Sequence, residues 1–221
     1  MIRVNIVCEG QTEENFVKQI LAPHLIPLGV NPTPHNLGTG ASYQKLKNKV
    51  LQWLKEEPTT WVTTMVDLYA MPDDYAGFEE NKHKQALDKI KGLEAAFKAD
   101  IEKEGLANWR FLPNYQLHEF EALLFSDPKQ MELWLGLDFK IEAGVFAAIR
   151  DSFETPEAIN SNRQQSPSWR IKNLIKSYRK PTHGMVVAKE IGLAKMREEC
   201  THFDAWVTAL ENLAQAGQEA P

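Results

Sequence analysis

Hydrophobic positions in the first half of the chain switch between strand and helix periods. Ile2 to Cys8 is a β-rich run that ends at Glu9-Gly10 and reads as a buried first strand. Thr12 then reads as a helix N-cap, with Glu13 and Glu14 at the positive end of the helix dipole. Phe16, Ile20, Leu21, His24 and Leu25 follow at helical spacing, and Pro27 and Gly29 end that element. Val30 to Gly40 is rich in proline and glycine and predicts a poor edge strand or a loop. From Ser42 to Glu56, Leu46, Val50, Trp53 and Leu54 predict a second amphipathic helix, stopped by Pro58. Trp61 to Val66 is a second strand, ending at Asp67.

A turn-rich acidic loop, Met71 to Gly77, carries Asp73 and Asp74. Glu79 to Glu104 predicts one long helix, with Leu87, Ile90, Leu93, Ala96 and Phe97 along one side. Trp109 to Leu112 reads as a further strand leading into His118-Glu119-Phe120-Glu121. Beyond Ser126 the pattern is mostly helical, with a looped stretch from Asn160 to Ser168. Strands that alternate with helices predict an α/β core with a mostly parallel sheet between helices. The expected organisation is that core over 1–126, with a helical C-terminal region over 127–221 packed on it.

Composition narrows the class. The chain has 221 residues, 43% of them hydrophobic and 25% charged, which is enough to build a real core and argues against disorder. Its two cysteines, Cys8 and Cys200, have no metal-type spacing, and a disulfide framework is not expected. Neither a signal-peptide pattern nor a membrane-length apolar run occurs, so the expectation is a cytoplasmic protein without a membrane partner. No phosphate loop, dinucleotide fingerprint or nucleophile elbow is present, so an ATPase activity belongs to another chain.

Two strands end in a carboxylate, Glu9 and Asp67. Ligand sites of open parallel sheets lie at the carboxyl ends of strands, so these two residues are expected to converge. Gly10 lets the backbone turn sharply beside Glu9. A hard cation such as Mg²⁺ takes one or two carboxylates together with substrate phosphates. Glu119 and Glu121 offer a third carboxylate: in extended chain both point to one side, whereas on a helix they diverge. Spacing leaves both geometries open, and it leaves open a plainer role for each acid as helix cap, strand end or ion-pair partner. His118 is either a general base or metal ligand, or the cap of a strand end.

These residues carry a resemblance. Val7-Cys8-Glu9-Gly10-Gln11-Thr12-Glu13 resembles the V-x-E-G-x-T-E opening of TOPRIM-related proteins. The chain as a whole resembles the family catalogued as domain of unknown function four-two-seven-six. Its further marks are Val66-Asp67-Leu68-Tyr69, His118-Glu119-Phe120-Glu121 with Leu123-Leu124-Phe125, Ser166-Pro167-Ser168 with Arg170-Ile171, and Cys200-Thr201-His202-Phe203 with Trp206. The resemblance implies a TOPRIM-like Rossmannoid core and a metal site for Mg²⁺ or Mn²⁺ on Glu9 and Asp67. It implies relation to the nuclease domains of overcoming-lysogenization-defect proteins, an ABC-type ATPase partner, and defence against phage or plasmid DNA. The second aspartate of the TOPRIM D-x-D pair falls on Tyr69, a poor Mg²⁺ ligand, so either Glu119 or Glu121 supplies the missing carboxylate or metal binding is weakened.

Charge is unevenly spread. The net charge is −5, yet no acid stands between Glu157 and Glu190, where Arg163, Arg170, Lys172, Lys176, Arg179, Lys180 and Lys189 lie. Trp169 and Tyr178 are interleaved with them, a mixture suited to phosphate backbone and unstacked bases. Arg170, Lys172 and Lys176 are expected to share part of a helix surface, and Arg170 and Lys180 are the preferred contacts. The alternative is a solvated helix face paired with the acidic remainder of the chain or with an acidic partner subunit.

Overall fold

The computed structural model describes residues 1–38, 42–68, 73–106, 108–117, 119–159 and 165–216. Five strands form the sheet: β1 (Ile2–Cys8), β2 (Val30–Asn36), β3 (Trp61–Asp67), β4 (Phe111–Leu112) and β5 (Tyr115–Gln116). Their order is β2-β1-β3-β4, with β5 pairing farther along β3, and every pairing is parallel. The expected α/β architecture is therefore present, with helices around a parallel sheet and a helical C-terminal part.

The order contains a reversal. From β1 the chain crosses to β2 on one side, then returns past β1 to β3 on the other. Right-handed crossovers put the connecting helices of such a turnaround on opposite faces, leaving a crevice at the carboxyl ends of β1 and β3. β2 is the edge strand. Pro32 and Pro34 sit at alternate positions, where a missing N–H costs no ladder bond on an edge, so the segment forms a strand despite its composition.

Helix α1 (Gln11–Phe16) starts two residues earlier than expected. Gly10, not Thr12, is the N-cap, and the Glu13 carboxylate reaches back to accept the Gly10 N–H at 3.1 Å. Thr12 is buried at the second helical position. The run continues through a π-turn (Val17–Leu21), α2 (Ala22–Leu25) and a 3-10 turn (Ile26–Leu28), and packs on β2. Helix α3 (Tyr43–Glu56) starts as predicted, with the Ser42 hydroxyl accepting the Lys45 N–H at 3.2 Å.

The expected long helix over 79–104 is two. α4 (Phe78–Asn81) ends where Asn81 to Gln85 offers no apolar side to bury, and α5 (Ala86–Glu102) follows. Ile90, Leu93, Phe97 and Ile101 of α5 join Leu46, Val50 and Leu54 of α3 over Val7, Val62, Val66, Phe111 and Tyr115 of the sheet. Phe97 sets its ring 4.8 Å from Phe111, edge-on, and 5.9 Å from Tyr115, stacked. Each such fully buried ring contributes roughly 1.5–3 kcal/mol.

The strand expected over 109–112 is shortened to Phe111–Leu112 behind a 3-10 turn, Asn108–Arg110. The cause is Arg110, whose buried guanidinium donates to the carbonyls of Leu54, Glu57 and Thr60 at 3.0, 3.0 and 2.7 Å. It thereby satisfies the carboxyl end of α3, which a strand residue facing solvent cannot do.

The chain forms two compact units. One holds residues 1–117 together with the chain from Thr208 on, and the other holds 118–207. The division thus precedes the boundary after Ser126 that the sequence suggested. Phe120–Ser126 is a 3-10 helix whose residues are all buried, and it packs on α9 (Met185–Glu199) and on the turn Pro156–Ala158 of the second unit. That unit also contains α6 (Pro128–Asp138), α7 (Val145–Arg150), α8 (Pro167–Leu174) and the start of α10 (Thr201–Ala216). The Glu157 carboxylate caps α10, accepting the His202 and Phe203 N–H groups at 2.9 Å each. Cys8 and Cys200 are both free and buried.

Candidate functional site

The parallel register places the first candidate pair. Cys8 lies opposite Met65, so the chain leaves β1 as β3 still runs on to Asp67. The Glu9 N–H donates to the Met65 carbonyl at 3.0 Å, and the Glu9 Oε2 accepts the Asp67 N–H at 2.9 Å. The Glu9 carboxylate thus reaches the Asp67 backbone, 58 positions away in sequence, at the sheet's turnaround point. Asp67 is only 5% exposed.

Tyr75 and Gln116 complete the surroundings. The Tyr75 phenol is pushed well up, first by burial and then by the negative charges of Glu9, Asp74 and Asp67, so it stays a hydroxyl donor at any ordinary pH. Its hydroxyl donates to the Leu68 carbonyl at 3.5 Å. Gln116 is the direct ladder partner of Asp67 and is 2% exposed. Its Nε2 has no hydrogen-bond partner among the described residues. Sequence reading missed Gln116, because a two-residue strand shows no period-2 pattern; only its position three residues ahead of Glu119 hinted at the region.

Acidic residues at the ends of adjacent parallel strands offer the kind of donor a hard cation takes, which is one or two carboxylates with water and phosphate oxygen filling the rest of its shell. A carboxylate offers about four lone-pair sites, so one accepted N–H does not exhaust it. Among the described residues no three His, Cys, Asp or Glu side chains form a metal-holding group. Tyr69 lies outside the described residues, as does His118.

Glu119 and Glu121 belong to the second unit, and their geometry resolves the choice between extended and helical chain. Glu119 is extended, at φ −147° and ψ 156°, and the 3-10 helix begins after it, so the two side chains diverge. Glu119 accepts the Ser168 N–H through Oε2 at 2.8 Å and the Ser168 hydroxyl through Oε1 at 3.0 Å. Glu121 is 1% exposed and sits 3.6 Å from the Lys180 ammonium. That ammonium lies 5.5 Å over the Phe120 ring.

The basic segment divides in the same way. Lys172, Lys176, Arg179 and Lys189 are exposed. Arg170 is held locally: its Nε donates to the Gln165 carbonyl at 2.8 Å, and its guanidinium stands 5.2 Å over the Phe153 ring. Lys180 is committed to Glu121. Helix α8 ends at Leu174, so Lys176 lies past its end and does not share its surface with Arg170 and Lys172 as expected. Of the two interleaved aromatics, Trp169 is 44% exposed and can stack, whereas Tyr178 is buried. His183 accepts the Arg179 N–H through Nδ1 at 2.9 Å and packs edge-on to Phe139, a structural role. Arg163 lies outside the described residues.

No helix among the described residues is long and apolar enough to cross a membrane. Comparison with solved structures finds the C-terminal region of the Xanthomonas campestris pv. campestris OLD protein. It is 13% identical, with 95% of this chain and 97% of that one covered, at a TM-score of 0.38. No curated protein matches the chain. Residues 8–211 match the family described as domain of unknown function DUF4276, from the end of β1 into α10, and the chain belongs to that family.

Proposed function

We propose that this protein is a Mg²⁺- or Mn²⁺-dependent nuclease-like hydrolase acting on nucleic-acid phosphodiesters. The observation that carries the reading is the contact of Glu9 Oε2 with the Asp67 backbone N–H, which brings the Glu9 carboxylate to the end of β3 at the sheet's turnaround point. Glu9 and Asp67 hold the cation, and water and phosphate oxygens fill the rest of its shell. A cation held there neutralises phosphate charge and polarises an attacking water. Glu9 serves as general base or acid beside it. The exposed Lys172, Lys176 and Arg179 bind phosphate backbone, and Trp169 stacks on an unpaired base. The ABC-type ATPase partner and the role in phage or plasmid defence that the resemblance implies are part of the same proposal.

The test is a cleavage assay on single- and double-stranded DNA and RNA with Mg²⁺ or Mn²⁺. Wild type should cut, and Glu9→Gln and Asp67→Asn should not, with unchanged circular dichroism. Cutting that persists in both variants overturns the assignment. A second reading is a non-catalytic module that binds nucleic acid or a partner ATPase. It is favoured by the engagement of both Glu119 oxygens with Ser168. Failure of wild type to bind Mn²⁺ at millimolar concentration selects it.

A further inference from the structure

A buried amide that makes no hydrogen bond is rare, because the donor gives up water and recovers nothing. Gln116 is such a case: 2% exposed, with Nε2 unpartnered among the described residues. Its position is not arbitrary. Parallel ladder partners send their side chains out of the same face of a sheet, and Gln116 is the ladder partner of Asp67. The donor without an acceptor therefore stands on the same face as the carboxylate at the carboxyl end of β3. The neighbouring pair differs. Tyr115 opposite Val66 belongs to the apolar core of the other face, so the alternation along β5 directs one side chain to packing and the next to the acidic edge.

We propose that Gln116 is a positioning residue of the acidic site, whose Nε2 donates to an oxygen ligand of the divalent cation that Glu9 and Asp67 hold. The inference rests on the metal-site reading above. The amide carries no charge, so it does not compete with the carboxylates for the cation. Its N–H instead fixes the direction of a bound water, leaving the unmet donor as the cost of keeping the site ready before the cation arrives. Groups one shell out from a metal typically change its affinity by about 10- to 100-fold.

The experiment measures Mn²⁺ binding by titration calorimetry on the full chain, alongside thermal melting in EDTA. Gln116→Met keeps the length and removes the donor. The expected result is an unchanged or raised melting temperature in EDTA, with Mn²⁺ affinity lowered by about 10- to 100-fold. Gln116→Asn keeps an amide but withdraws it by one methylene. It should lose affinity in the same direction, and it serves as the test if the methionine variant does not fold. Wild-type affinity in both variants overturns the role of Gln116 while leaving Glu9 and Asp67 in place. A melting temperature that falls in EDTA with Mn²⁺ affinity unchanged assigns Gln116 to packing and likewise overturns it. Absence of Mn²⁺ binding by wild type, matched by Asp67→Asn, overturns the metal-site reading itself and this inference with it.

Discussion

Ser168 is held by both oxygens of the Glu119 carboxylate, one on its backbone N–H and one on its hydroxyl. Ser168 is the second residue of α8, so Glu119 acts as a negative cap at the positive end of that helix. Glu119→Gln offers one acceptor oxygen where the carboxylate offers two, and it removes the charge. It should cost about 1–3 kcal/mol of stability. Urea unfolding measures this directly. A cleavage defect in Glu119→Gln without loss of stability would instead make Glu119 a participant in the reaction.

Much of the architecture was legible because its signals are local. β1 and β3 are short β-rich runs, and α3 has its serine cap. What stayed illegible depends on contacts between distant residues. Arg110 shortens a strand by reaching three carbonyls more than 49 positions away. Gln116 gains meaning only from its register against Asp67. Lys180 reads as an ordinary member of a basic run until Glu121 is found beside it, and Tyr178 as an interleaved aromatic until its burial is seen. Charge patterns along a chain do not reveal which bases are already paired.

Burial raises the pKa of Glu157 above its ordinary value of 4.5, against the lowering effect of the His202 and Phe203 N–H groups. The folded state thus holds this proton more tightly than the unfolded state. Linkage then gives a contribution fully present below the ordinary glutamate value and lost as pH rises through the folded value. Glu157→Gln cannot titrate. The stability advantage of wild type over this variant should therefore be greatest near pH 4 and shrink as pH rises. Urea unfolding of both proteins at successive pH values checks the sign; an advantage that grows with pH contradicts it.

Helices α4 and α5 touch through a glycine. A Cβ added at Gly92 would stand 1.9 Å from Asn81 Oδ1 and 2.5 Å from its Cγ. Asn81 cannot simply swing away, because its Nδ2 donates to the Gly77 carbonyl at 2.7 Å. Gly92→Ala should therefore destabilise by about 1–3 kcal/mol despite alanine's better helix propensity. Asn81→Ala alone also costs stability, but in the double variant the clash is gone. The two effects should be strongly non-additive, with the double variant more stable than their sum. Additive losses would show that the helices do not meet at this point.

The basic segment separates cations available to a phosphate from those already used. Lys172, Lys176 and Arg179 are exposed, while Lys180 faces the buried Glu121 carboxylate. Replacing an exposed phosphate contact removes one released counterion, so the slope of log affinity against log salt should fall by about 1 for each of Lys172→Ala, Lys176→Ala and Arg179→Ala. The loss should be similar for different DNA sequences, because phosphate contacts carry no base information. Lys180→Ala is expected to behave differently. It leaves Glu121 as a buried charge short of its cation, and breaking such a pair is destabilising by about 3–5 kcal/mol in a fully buried setting and by less here, where Lys180 is partly exposed. Its signature should be a lower unfolding midpoint with an unchanged salt slope. Fluorescence anisotropy across a salt series and urea unfolding of the four variants separate the two classes. A changed slope in Lys180→Ala would mean that phosphate draws this lysine away from Glu121 on binding, and the acidic partner would then act as a gate on the basic surface.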